Sequence, residues 1–199
     1  MTIELPYSAA AERNASPLAD KLTELISVEK PRILEIGSGT GQHVAFFAER
    51  FSDWSFQPSD QNSEYFDAIR HRTMENRNVE SPLVLDLLAP YPNFDTCFDV
   101  ILAINVFQVA PIEVVDSLYS LARENLNSSG IVLTYSPLTH AGRFTSEGDQ
   151  AFNARLKERD PRLGIRSFEE LKTCAEQNGF SSIEEYAMPA NNWLTLAQH

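Results

Sequence analysis

The 199-residue sequence predicts an α/β protein: a mostly parallel sheet with helices on both faces. Three observations carry that expectation. Between about residues 31 and 136, short apolar, β-rich runs alternate with longer segments of helical period, the pattern of strands joined by crossover helices. A glycine-rich loop, "GSGTG" at 37–41, leaves the first of these runs and opens the helix after it. From residue 180 the tail "FSSIEEYAMPANNWLTLAQ" holds two strand-like halves parted by "PANN", which reads as an antiparallel hairpin closing the sheet.

The elements follow in order. Leu18, Leu22, Leu25 and Ile26 have helical spacing within residues 9–28, so residues 1–30 read as a helical cap, with "YSAAAERN" at its entrance and Ser8 placed to cap the first turn. The first strand is "RILEI", 32–36, and the helix after the glycines carries Val44, Phe47, Ala48 and Phe51 on one face. A second strand, "WSFQPS" at 54–59, runs into Asp60, and Tyr65, Phe66, Ile69 and Thr73 space the next helix. A third, "PLVLDL", ends near Asp86. The fourth, "CFDVILAIN" at 97–105, is the most apolar and therefore central, because inner strands of a parallel sheet are covered on both faces. Its helix shows Val114, Leu118, Leu121 and Ala122 and stops at "NSSG" before a fifth strand, "IVLTYS". Residues 137–166 then turn polar and read as a long loop or lid. Capping signatures at Ser146 with Asp149 and at Ser167 with Glu170 open two further helices. The whole of 1–199 reads as a single domain.

Composition narrows the partners. A formal charge of −12 repels phosphate backbones and anionic membranes, so a small molecule is expected rather than nucleic acid or a lipid surface. No basic, apolar leader and no apolar run near about 18 residues is present, which points to a cytoplasmic protein, monomeric or weakly dimeric. Two separated cysteines and four scattered histidines give no metal-binding spacing, so no metal is expected.

Glycines let a backbone turn sharply and aim its N–H groups at a ligand. The P-loop pattern is absent, since no lysine follows the loop, and Gly37, Gly39 and Gly41 are spaced G-x-G-x-G rather than the G-x-G-x-x-G of dinucleotide sites. Glu35, two residues before the loop, would repel a pyrophosphate but attract the ammonium and sulfonium of S-adenosylmethionine. Asp60, at the end of the second strand, is placed for two ribose hydroxyls, and Asp86, at the end of the third, for an adenine amino group. Taken singly, the loop also suits a tight turn, Asp60 a helix cap and Asp86 an ordinary turn.

Together "LEIGSGTGQH" and "QPSD" resemble the class I S-adenosylmethionine-dependent methyltransferases. With "YSAAAERN", "DPRLGIRSFEEL" and "MPANN", nearly the whole chain is similar to the methyltransferase-like domain-of-unknown-function family 938. The resemblance implies a Rossmann-like sheet of seven strands, S-adenosylmethionine as cofactor, and cofactor contacts at Glu35, Gly37, Ser38, Gly39, Gly41, Asp60, Asp86 and Asn105. It leaves the acceptor unassigned. The chain departs from the family pattern at Gln108 and Ile112, where a histidine and a tryptophan usually stand, so a base at that position is not implied here.

Methyl transfer needs alignment of the nucleophile and exclusion of water, and a base only when the nucleophile arrives protonated. Candidates to face the methyl are Asn105 and Gln108 after the fourth strand, Tyr135 on the fifth, and Tyr7, Glu12, Arg13 and Asn14 at the entrance. His140 in the expected lid is a candidate base. His43 at the helix start is placed to meet the cofactor or to pack, and Asn191 and Asn192 suit either a turn or a substrate contact. The function expected is methyl transfer to a small molecule. The alternative is a non-catalytic cofactor- or partner-binding module on the same scaffold, since no acid–base pair stands out, and an NAD-dependent oxidoreductase comes third because of the glycine spacing.

Overall fold

The computed structural model describes residues 5–199, so residues 1–4 of the expected cap lie outside the described residues. In chain order the elements are α1 (Ala9–Leu25), β1 (Arg32–Ile36), α2 (Gln42–Arg50), β2 (Ser55–Asp60), α3 (Phe66–Arg72), β3 (Leu83–Val84), β4 (Phe98–Ile104), α4 (Glu113–Asn125), β5 (Leu126–His140), β6 (Arg143–Phe144), α5 (Glu147–Arg159), β7 (Arg166–Ser167), α6 (Phe168–Gln177), β8 (Ser182–Met188) and β9 (Asn192–Gln198). The main sheet has seven strands in the order β3-β2-β1-β4-β5-β9-β8, while β6 and β7 pair with the far end of β5. Strands β3 to β5 along that path are mutually parallel, and β9 is antiparallel to both β5 and β8. The apolar fourth strand does lie in the middle, buried on both faces.

Side-chain alternation along the strands divides the core in two. Ile33, Val100, Leu102, Leu133 and Leu194 point to one face, where Leu18, Leu22, Val44, Phe47 and Ile69 of α1, α2 and α3 cover them. Leu34, Ile101, Ala103 and Val132 point to the other, under Val115, Leu118, Leu121, Leu171 and Ala175 of α4 and α6. The helical stripes seen in the sequence are therefore the buried ones. Both cap signatures are real: the Ser146 hydroxyl accepts from the Asp149 N–H, and Ser167 with Glu170 forms a complete reciprocal box.

Two expectations are corrected. Helix α4 ends at Asn125 and β5 starts at once, with Leu126 opposite Phe98 and a register shift before Ile131 meets Val100, so "NSSG" is a bulge within a strand, exposed at residues 127–129 and buried at Gly130, rather than a separating turn. At its other end β5 does not stop at Ser136. Pro137 pairs with Asn192, and Leu138 and Thr139 are buried and pair with β6 and β7, which keeps the chain extended to His140. The polar composition of 137–150 concealed those two inward side chains. Among the described residues no helix is long and apolar enough to cross a membrane.

Candidate functional site

Strand β1 has β2 on one side and β4 on the other, and the connections from their carboxyl ends diverge there, the position at which open α/β sheets form a crevice. A cavity of about 420 Å³ occupies it, within the range of small-molecule sites. Its floor is the glycine loop. Gly37 has φ 68°, and a Cβ there would stand 2.8 Å from Cγ2 of Val106, so only glycine lets the loop pass that close to the turn after β4. Gly41 has φ 76° and caps α2, where a Cβ would meet the Ile69 Cα at 2.9 Å. Ser38 pins the loop to β2: its N–H donates to Ser59 O (2.8 Å) and its hydroxyl accepts from Ser59 N (3.1 Å).

Asp60 ends β2 inside the cavity wall. Its carboxylate accepts from the N–H of Gly39 and from the N–H of Asn62, each at 2.9 Å, so it ties the glycine loop to the turn after β2. Capping of the following 3-10 turn falls to Asn62, whose side chain accepts from Glu64 N. Asp86, half-buried, accepts from Leu88 N at 2.9 Å and lines the same cavity. Asn105 lines it from the end of β4 in left-handed backbone geometry, φ 58°, held by its N–H on Tyr135 O at 2.7 Å. Its Oδ1 accepts from Nε2 of the buried Gln108 at 3.1 Å.

Six of the expected cofactor residues, Gly37, Ser38, Gly39, Asp60, Asp86 and Asn105, thus line one cavity. Glu35 and Gly41 do not. Glu35 is 3% exposed beneath the loop, and Oε2 of its carboxylate has no hydrogen-bond partner. Burial pushes that carboxyl up to about 7; a hydrogen bond from Ser38 opposes the shift and the neighbouring Asp60 charge adds to it.

The catalytic candidates separate into groups. Asn14 and Tyr135 join His43 in a buried cluster under α1: His43 Nε2 and Asn14 Oδ1 are 2.6 Å apart, which places the proton on the imidazole because an amide oxygen only accepts. Burial pulls His43 down to about 4, so the ring is neutral, and burial raises the Tyr135 phenol against a smaller opposing effect of Asn14. Of the three, only His43 reaches the cavity. Arg13 is exposed and outside the cavity lining. His140 lies elsewhere, paired with Glu185 at 2.7 Å beside the rings of Trp193 and Phe168. Asn191 lies in the turn between β8 and β9 at φ 60°, and Asn192 is the first residue of β9.

The entrance segment "YSAAAERN", legible in the sequence, does reach the cavity, whereas Arg159 carries no signal there. Ser8 and Ala11 bring the start of α1 to the cavity, where Gln42 grips both backbone groups of Ser8: Oε1 accepts its N–H (2.5 Å) and Nε2 donates to its carbonyl (3.2 Å). Arg72 adds bonds to Thr40 O and Pro6 O. Arg159, at the end of α5, lines the cavity from more than a hundred residues beyond the glycines. Helix α5 buries only Leu156. The segment after it is docked by polar contacts to the turn after β4: Gly164 N on Gln108 O at 3.0 Å, and Arg166 on the carbonyls of Phe107 and Ala110.

The strand order, the glycine loop and the carboxylates at successive strand ends define the Rossmann-like class I methyltransferase fold. Solved structures of that class superpose on nearly all of the chain. An O-methyltransferase family protein from Burkholderia thailandensis matches with a TM-score of 0.79 at 15% identity over 96% of this chain and 58% of its own. An O-methyltransferase family 2 protein from Planctomyces limnophilus in complex with apigenin gives 0.76 at 16% identity over 96% and 58%. SibL, described as an S-adenosylmethionine-dependent methyltransferase, gives 0.76 at 15% over 96% and 56%. The chain spans little more than half the length of these proteins. At residues 5–199 it matches the family described as "Protein of unknown function (DUF938)", and it belongs to that family.

Proposed function

We propose that the protein is an S-adenosylmethionine-dependent methyltransferase acting on a small molecule. One observation carries the reading: the glycine loop after β1 and the carboxylates ending β2 and following β3 all face one cavity of ligand size. The donor set suits the cofactor. Asp60 would hold the ribose hydroxyls and Asp86 the adenine amino group, while the glycine-loop backbone, which a Cβ at Gly37 would obstruct, would receive the amino-acid end. The cofactor supplies a methyl group activated on a sulfonium. The chain supplies a bounded cavity and fixed donors, and α1, clamped through Gln42, helps to exclude water. The likeness to proteins described as methyltransferases supports the reading, as does family membership across 5–199.

Calorimetric titration tests it. S-adenosylmethionine and S-adenosylhomocysteine should bind the wild-type protein and NAD should not. Asp60→Ala should weaken that binding by about 1.5–3 kcal/mol, the scale of hydrogen bonds to a charged group. Binding of NAD alone, or unchanged affinity in a folded Asp60→Ala protein, would overturn the assignment.

A further inference from the structure

The cavity's own chemistry restricts the methyl acceptor, an inference that rests on the methyltransferase reading. Its titratable lining residues, among those described, are Asp60, Asp86, His43, Tyr65 and Arg159. Asp60 is occupied by two backbone N–H groups and Asp86 by one, and both stand where the cofactor's adenosine would be held. His43 is engaged with Asn14 and, being buried, resists taking a second proton. Among the described residues no uncommitted carboxylate or protonatable imidazole faces the cavity.

The donors there are hydrogen-bond donors. Gln108, 5% exposed, commits Oδ1 of Asn105, which leaves the amide NH₂ of Asn105 as its unengaged end. Asn105 itself lines the cavity from a left-handed backbone, φ 58°. Arg159 forms no ion pair among the described residues, although the chain carries 28 acidic residues. The segment after α5 docks by polar contacts onto Phe107, Gln108 and Ala110, and the exposed Arg159 that precedes it lines the same cavity as Asn105. Between these groups the wall is apolar, with Val109, Ala110 and Val114, and Val109 is 44% exposed at the rim.

We propose that the acceptor is a small carboxylic acid with an apolar body, bound as the carboxylate by Arg159 and the Asn105 amide and methylated on oxygen. An alcohol or alkylammonium must lose a proton to a base, whereas a carboxylate is already ionised. An oxygen lone pair forms the new O–CH₃ bond as the S–CH₃ bond breaks and its electron pair remains on sulfur. The carboxylate and sulfonium charges cancel, the products are a methyl ester and S-adenosylhomocysteine, and no proton moves. Gln108 is a positioning residue that acts through Asn105.

The test uses full-length protein saturated with S-adenosylhomocysteine and ligand-observed NMR. Benzoate and hexanoate are compared with benzylamine, hexylamine, benzyl alcohol and hexanol. Both carboxylates should bind at least tenfold more tightly than the matched amines and alcohols. Arg159→Gln should remove that preference and leave S-adenosylhomocysteine affinity within twofold, and Gln108→Leu should weaken carboxylate binding several-fold while Gln108→Asn recovers part of it. The carboxylate assignment fails if the amines or alcohols bind as well as the acids. It fails equally if Arg159→Gln lowers affinity for S-adenosylhomocysteine as much as for benzoate, since Arg159 would then belong to the cofactor. Failure of the wild-type protein to bind S-adenosylhomocysteine sinks the methyltransferase reading itself, and this assignment with it.

Discussion

Replacing Glu35 with glutamine should remove a pH dependence of stability that the wild-type protein carries. The side chain is buried beneath the glycine loop with one oxygen unpartnered, and burial holds its carboxyl at about 7 against an ordinary glutamate value of 4.5. A carboxyl raised in the folded state favours the folded state when protonated. Its contribution is fully present below pH 4.5 and is lost as pH rises through 7. Between pH 5.5 and 7 the unfolded chain has already ionised while the folded one has not, so at about 1.4 kcal/mol per pH unit the loss is roughly 2 kcal/mol. Glutamine has the same shape and no charge to desolvate. Urea denaturation of both proteins at pH 5.5 and pH 8 reads the difference directly: the stability of wild type relative to Glu35→Gln should fall by about 2 kcal/mol across that interval. A gap that stays constant within about 0.5 kcal/mol would show that Glu35 is ionised throughout and that burial does not control it.

Three further outcomes are expected. Gly41→Ala forces a side chain into a φ of 76° and against the Ile69 Cα, and should destabilise the protein by about 1–3 kcal/mol, read as a lowered thermal midpoint; an unchanged midpoint would mean that the loop rearranges freely. Ser167→Ala removes half of a complete capping box and should cost about 1 kcal/mol in the same measurement. Gln42→Ala breaks both bonds to Ser8, each worth about 1 kcal/mol, and should speed tryptic cleavage after Arg13 on the order of tenfold with little change in global stability.

The part of the architecture written in local periodicity was legible. Ile33 and Leu34 announce a strand buried on both faces, and Val44, Phe47 and Ala48 a helix face, because those patterns follow from backbone geometry alone. Asp60 and Asp86 were legible as strand-end acids, and both reach the cavity. Composition misled at 137–140, where two inward side chains sit among polar neighbours, and at "NSSG", which bulges without ending the strand. Glu35 shows why proximity in sequence is an uncertain guide: two residues from the loop, its carboxyl lies under the cavity floor rather than in it. Arg159 had no local signature, since only the docking of Gly164 and Arg166 onto the turn after β4 brings it to the site. His140 was read as a lid residue free to act, and its partner Glu185 comes from a strand 45 positions away.

Helix α5 has Leu156 as its one buried side chain, and the segment that follows it is tied down by bonds from Gly164 and Arg166 to main-chain carbonyls. Main-chain atoms are the same whatever the residue, so the attachment places little demand on the identity of most α5 positions. Substitutions along that helix can therefore alter the mouth of the cavity while the sheet, the glycine loop and the two strand-end acids keep their packing. The fold separates what is free to diverge from what is not, and the boundary runs between α5 and the docked segment that follows it.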